Sequence, residues 1–438
     1  MSSLKDIYKS FDSVFDRTIQ KSMGTPGYGL ESLNEGVIRR TMDSKISLAS
    51  SNVAEAEFGI QDAIRGLFGK KRTNAHSIGG HPDFLHLNDT GETEYGFNVS
   101  LFMDIKGSTK LGLIYTPEEV FFIKNTIIRC AIETIRAFDG HVHRIMGDAV
   151  LAFFRADGNS ARNAAIDAIN CGCYLVEFMR QLVAPKLRDN QVSEDVGIRV
   201  GIDYGQEKDV LWGMYGFQGS SEVTATSFFV DVAAKLQQSA PRNRVMIGES
   251  IRSLLDLHDE VTELKRINNG QDTERFVMPN YTGADGKPVN YRKHVLKQSA
   301  YFALLPKPGW ENSPIKITAL LKAKENTIYA APETYQACSR ALPKGVGIDF
   351  KAKFHLPYTT GKVQLRFTVK NHGEEAGEDR SHEKFVDIQY NRERDEYWGS
   401  YWRDTAYTGL HYMCIAVLID GKIAYKDQEF GVYIGSPA

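Results

Sequence analysis

Val99, Leu101 and Met103 recur at every second position, the period-two pattern of a half-buried strand, and the run stops at Asp104. The period then changes. Val120, Ile123, Ile127, Ile128, Ala131, Ile135 and Phe138 recur at helical spacing. Thr116-Pro117-Glu118-Glu119 supplies an N-cap, a proline at the first helical position and a glutamate at the third, and Gly140 can end the helix. Residues 141–146 and 149–154 read as two strands joined by a tight Gly147-Asp148 turn. A second long helix is expected over 159–186, capped by Asn159 or Ser160, then a strand over 197–204 and a short strand and helix over 244–257.

Upstream, 3–22 and 44–68 carry mixed helical patterns separated by the breaker Thr25-Pro26-Gly27-Tyr28-Gly29, and 69–95 read as a linker. Beyond about residue 315 the pattern becomes short strands, at 349–356, 363–369, 384–390 and 410–418, the last followed by an Asp420-Gly421 turn and a return strand. Such spacing argues for a β-sandwich. The expected organisation is a helical extension and linker over 1–90, an α+β unit over 91–308, and a strand-rich domain over 315–438.

Composition narrows the function classes. A chain of 438 residues exceeds one ordinary core, and 42% hydrophobic with 25% charged residues is typical of a globular protein. The net charge of −2 gives no support for a nucleic-acid partner, and no apolar run is long enough to suggest a membrane span. The charged N-terminus lacks the apolar region of a secretory signal, and five cysteines without zinc-ligand spacing read as buried thiols, so a cytoplasmic setting is expected. His76, His81 and His86 fit no recognised metal spacing and read as loop histidines.

The candidate chemistry sits at two strand ends. Asp104 is followed by Gly107-Ser108-Thr109, a small-residue turn whose backbone N–H groups suit a phosphate. Asp148 occupies the hairpin tip. Each aspartate alone is explained by turn chemistry. If the hairpin pairs beside the first strand, the two carboxylates converge, and such an oxygen-rich pair suits Mg²⁺ or Mn²⁺.

Asp104-Ile-Lys-Gly-Ser-Thr109, the long helix, and Arg144-Ile-Met-Gly-Asp148-Ala-Val-Leu-Ala-Phe-Phe154 together resemble the metal-binding segments of class III nucleotidyl cyclases. The resemblance implies an α+β cyclase fold with a ferredoxin-like core. It also implies two Mn²⁺ or Mg²⁺ ions per site on Asp104 and Asp148, with the Ile105 carbonyl as a third ligand. Gly107, Ser108 and Thr109 would then meet the substrate phosphates. Ser220 to Gln237 resembles the segment that carries a base-recognition residue, a sugar-orienting Asn and a triphosphate-binding Arg, here Thr224, Asp231 and Lys235. Two of these depart from the family pattern. Lys235 keeps the charge without the planar fork, and ionised Asp231 accepts but does not donate a hydrogen bond. Their spacing equally matches an i,i+4 ion pair on a helix.

Arg144 stands at the other base-recognition place, and Arg144 with Thr224 matches neither the adenylate nor the guanylate pattern. A donor-rich pocket suits uracil, with its two carbonyls, better than cytosine, whose amine needs an acceptor. His141–Asp148, Asp209–Gly216 and Glu222–Ser227 further resemble the pyrimidine cyclases of the Pycsar antiphage systems. That resemblance implies a homodimer with composite sites, carboxylates from one subunit and the Asp231/Lys235 helix from the other. It also implies a cyclic nucleotide product that activates a separate effector. The expected substrate is UTP, with CTP as the alternative, and a catalytically silent nucleotide-binding protein as a reading of a different class. Residues 367–376 and 408–412 resemble the C-terminal sensor (AGS-C-like) domain of some cyclases, and Trp398, Tyr401, Trp402 and Tyr407 form an aromatic cluster there.

Overall fold

The computed structural model describes residues 4–9, 59–155, 158–189, 196–217, 219–267, 272–273, 282–283, 286–287, 289, 291–322, 333–356, 359–393 and 395–435. Most of the expected 3–22 and 44–68 helices, the 25–29 breaker, and parts of the 264–305 region lie outside these residues.

The first segments to appear are short helices α1 (Leu4–Ile7) and α2 (Gly59–Leu67), and β1 (Thr93–Tyr95). Next come β2 (Asn98–Lys106), α3 (Ser108–Ile114) and α4 (Pro117–Ala137). The capping box read from Thr116 and Glu119 is present in both directions, with Pro117 in the first turn. The helix closes differently from expectation. Asp139, not Gly140, takes the left-handed conformation, at φ 61°. Gly140 is required for space instead, because a Cβ there would lie 2.6 Å from Ile135 Cγ2 and 2.7 Å from Phe154 Cζ.

The hairpin follows as β3 (His141–Met146) and β4 (Ala149–Phe154), with Gly147 at φ 65° in the turn. After Ser160, which caps through its hydroxyl, α5 (Ala161–Phe178) runs through a π-helical turn at Met179–Val183 into α6 (Ala184–Asp189). Then come β5 (Gly197–Gly205), β6 (Leu211–Phe217), β7 (Ser220–Thr226), α7 (Phe228–Ser239), β8 (Arg244–Gly248) and α8 (Glu249–Leu255). This half ends with β9 (Thr262–Leu264), a small ladder of β10 (Arg266–Ile267) with β11 (Asp272–Thr273), β12 (Lys293–Leu296) and α9 (Gln298–Leu304).

Seven of these strands form one sheet in the order β3-β4-β2-β5-β8-β12-β9, in which only the β5–β8 pairing is parallel. One face of β2 (Val99, Leu101, Met103, Ile105) packs into a core with α4 and α5. On the opposite face α7 lies across β2, β5 and β8. It comes so close that a Cβ on Gly201 would stand 2.2 Å from Gln237 N and 2.3 Å from Ala233 O. The β1-β6-β7 ribbon covers the β4 end of the sheet, where Trp212 stacks on Phe84. The sequence expectation of α+β layering is met.

The C-terminal half is a sandwich of two five-stranded sheets. One contains β13 (Ile315–Lys322), β14 (Glu333–Tyr335), β16 (Gly347–Phe354), β19 (Tyr390–Asn391) and β20 (Glu396–Asp404). The other contains β15 (Ala341–Leu342), β17 (Val363–Lys370), β18 (Ser381–Asp387), β21 (Gly409–Ile419) and β22 (Lys422–Ile434). Asp420 and Gly421 both adopt positive φ, 48° and 76°, at the expected hairpin turn. Phe350, Phe354, Leu365, Phe367, Ile415 and Phe430 fill the space between the sheets. In the aromatic cluster Trp398 and Trp402 face outward, 45% and 52% exposed, while Tyr401 packs against the core.

The two halves share an interior. Tyr301, Cys338, Tyr412, Cys414 and Tyr433 belong to the same apolar cluster as α5 and the seven-stranded sheet, as do Leu4, Ile7 and Tyr8 from the N-terminus. At the seam Tyr301 Oη donates to Asn170 Oδ1 at 2.8 Å, Asn170 Nδ2 donates to the Cys338 carbonyl at 2.9 Å, and the Tyr301 and Tyr433 hydroxyls meet at 3.0 Å. All five cysteines are buried free thiols. No helix among the described residues is long and apolar enough to cross a membrane.

Candidate active site

The register of the central strands brings the two aspartates together. Asp104 pairs with Ala149 across β2 and β4, so Asp148 at the hairpin tip stands diagonally beside it. The Ile105 N–H donates to the Asp148 carbonyl at 3.2 Å and ties the tip to the strand. Asp104, on the face of β2 opposite the core, is gripped by Arg199 of β5, with Nε donating to Oδ1 at 2.9 Å and Nη2 bonded to Oδ2. Arg199 Nη1 also donates to the Gln238 carbonyl at the end of α7, at 3.0 Å. The hydrogen bonds that Arg199 donates to Asp104 hold the guanidinium pKa above its already high value.

Asp148 accepts from the Ser108 hydroxyl, and Lys124 Nζ of α4 stands 4.0 Å away. Ser108 is buried by this contact and Thr109 is exposed, while Gly107 at φ 81° opens α3. The side-chain donors gathered here are hard oxygens, two carboxylates and a hydroxyl. They fit Mg²⁺ or Mn²⁺. Arg199 bonds both Asp104 oxygens, so an ion entering here shares that carboxylate with a guanidinium.

Arg144 and Thr224 come together a few residues up β3, linked by a group that the sequence reading did not single out. Glu222 of β7 forms an ion pair with Arg144 and lies 3.3 Å from His143 Nε2. His143 Nε2 is also 3.0 Å from Thr224 Oγ1. The His143 Nδ1–H donates to the Gly79 carbonyl at 2.9 Å, and burial holds the ring below its ordinary pKa. The ring is therefore neutral, its Nε2 accepts from the Thr224 hydroxyl, and the Thr224 oxygen is left presenting lone pairs. A bulge between Val142 and Arg144 puts the extra residue, His143, inward and turns Arg144 out, which breaks the alternation expected of β3.

Asp231 and Lys235 stand one turn apart on the exposed side of α7. Arg199 could have been suspected, since it is a charged residue flanked by the apolar Ile198 and Val200 within a strand. Glu222 carries no such signal.

Comparison with known proteins extends these observations. Residues 94–276 match the family model of the adenylate and guanylate cyclase catalytic domain, and residues 290–435 match that of the adenylyl/guanylyl and SMODS C-terminal sensor domain. A cytidylate cyclase of Escherichia coli is 36% identical over 437 residues, covering 96% of this chain and 93% of the relative. A cytidylate cyclase of Staphylococcus aureus is 38% identical, covering 85% and 86%. A uridylate cyclase of Burkholderia cepacia is 25% identical, covering 44% of this chain and 78% of the relative. With its paired carboxylates at the β2 and hairpin ends and its fused sandwich, the chain belongs to the class III nucleotidyl cyclases of the Pycsar type, pyrimidine cyclases that carry a C-terminal sensor domain.

Proposed function

We propose that this pyrimidine cyclase converts CTP to 3′,5′-cyclic CMP and pyrophosphate, and that the product signals to a separate effector in antiphage defence. The observation that carries the base preference is Glu222. The expectation of UTP rested on a donor-rich pocket of Arg144 and Thr224, together with the resemblance to pyrimidine cyclases. Glu222 pairs with Arg144, and Thr224 gives its proton to the neighbouring His143. Carboxylate and hydroxyl thus present acceptors, which cytosine's exocyclic amine needs, while Arg144 can still donate to its carbonyl. The full-length similarity to cytidylate cyclases supports the same reading.

In this proposal Asp104 and Asp148, with the Ile105 carbonyl, hold two Mg²⁺ or Mn²⁺ ions. When bound, these supply positive charge to the attacking and leaving oxygens. The substrate 3′-hydroxyl loses its proton to solvent and its oxygen bonds to the α-phosphorus, as the bond from that phosphorus to the α,β-bridging oxygen breaks and pyrophosphate leaves. Arg199 keeps Asp104 oriented between turnovers, and Gly107 to Thr109 approach the phosphates through their backbone. Asp231 and Lys235 act across the dimer, Asp231 accepting from a ribose hydroxyl and Lys235 meeting triphosphate charge.

Incubating the purified protein with all four ribonucleoside triphosphates and Mn²⁺ tests this directly. Cyclic CMP is the expected main product, and predominant cyclic UMP would overturn the assignment of Glu222. Glu222→Ala removes the acceptor and releases Arg144, so the ratio of kcat/KM for CTP over UTP should fall by about 10- to 100-fold, the worth of one hydrogen bond to a charged group.

A further inference from the structure

The junction between the two halves gathers a second set of metal-ligating side chains, distant in sequence from the carboxylate pair. His258 and Glu260 lie in the turn between α8 and β9, and His372 follows β17 in the sandwich. One donor atom of each falls within 4.8 Å of the other two. Glu260 Oε2 stands 3.7 Å from His372 Nε2, and that Nε2 is buried without a hydrogen-bond partner. A buried polar nitrogen left unpaired costs stability, so this one calls for a ligand.

The surroundings hold the rings in place. The two imidazoles stack with centroids 3.5 Å apart and planes 9° from parallel. The Glu260 N–H donates to His258 Nδ1 at 3.2 Å, and the Tyr412 hydroxyl meets His258 Nε2 at 2.6 Å. The His372 N–H donates to His411 Nδ1 at 3.2 Å.

We propose that His258, Glu260 and His372 form a Zn²⁺ site, completed by water, that fastens the α8–β9 turn of the catalytic half to the β17–β18 loop of the sandwich. Two imidazoles and one carboxylate form the mixed nitrogen and oxygen set that Zn²⁺ accepts, whereas Mg²⁺ favours oxygen alone. Imidazole lone pairs lie in the ring plane, so one ring turns out of the stack as the ion enters, and His258 exchanges a present partner for it. Zinc–nitrogen bonds of about 2.0–2.1 Å draw the loops closer together.

The test uses the full chain carrying Asp104→Asn and Asp148→Asn, so that the carboxylate pair no longer competes for metal. Co²⁺, a coloured substitute for Zn²⁺, is titrated while visible absorption is followed. Saturation at one equivalent with the strong bands of a four-coordinate site is expected, together with a Zn²⁺-dependent rise in Tm. Adding His372→Ala should abolish both. Glu260 is exposed, so Glu260→Ala leaves the packing intact, and it should weaken Zn²⁺ binding by tenfold or more. Absence of a saturable band, or a band that survives His372→Ala and Glu260→Ala, would overturn the proposal.

Discussion

Arg199 shows how one side chain can prepare a metal site while competing for it. Its guanidinium satisfies both oxygens of Asp104 and reaches the end of α7 through Gln238. Bidentate pairing of this kind fixes the plane of the carboxylate as well as its charge. Arg199→Gln removes the competing cation and the orientation together. The expected result is a Mn²⁺ activation midpoint shifted to lower concentration, with kcat reduced about 10- to 100-fold, read from Mn²⁺ titrations at saturating CTP. Asp148→Ala should abolish cyclic nucleotide formation. Among the described residues Ser108 and Lys124 contact that carboxylate, at a half-exposed turn, so Tm should shift by no more than a few degrees, measured by thermal unfolding.

At the level of elements, β3 is clasped by the segment that contains Gly79. The Gly79 carbonyl accepts from His141 Nε2 at 2.8 Å and from His143 Nδ1 at 2.9 Å, and its N–H donates to the Val142 carbonyl. Two residues on, His81 Nε2 donates to the Arg155 carbonyl at 3.2 Å while its Nδ1 accepts from the Asp83 N–H. Both His81 nitrogens are used in the neutral ring, and burial pushes its pKa down to about 3; burial lowers His141 and His143 as well. For bases with lowered folded values, the stabilisation is fully present above about pH 6.5 and is lost as the pH falls toward those values. Hydrogen exchange should therefore show residues 79–88 losing protection, after correction for intrinsic rate, between pH 7 and pH 5. This clasp also marks the limit of sequence reading. The strands, the long helix and its capping box, both hairpin turns and the meeting of Asp104 with Asp148 were legible, because period and turn chemistry are local. The bulge at His143 and the Glu222 bridge were not, because each depends on which strand lies opposite.

For the whole molecule, α7 displays Asp231 and Lys235 to solvent. The proposed composite site makes this face meaningful only beside a second copy. Mixing inactive Asp148→Ala with inactive Lys235→Ala and letting subunits exchange should restore about a quarter of wild-type activity. Half the dimers are then mixed, and each mixed dimer holds one intact site of two. No recovery after demonstrated exchange would place both residues in the same site of one subunit. The seam formed by Asn170, Tyr301, Cys338 and Tyr433 reaches further than catalysis. Two halves that share a single interior cannot be traded like beads on a string. Exchanging the sandwich for another means supplying new partners for Asn170 and Tyr301, or leaving their buried polar atoms unpaired.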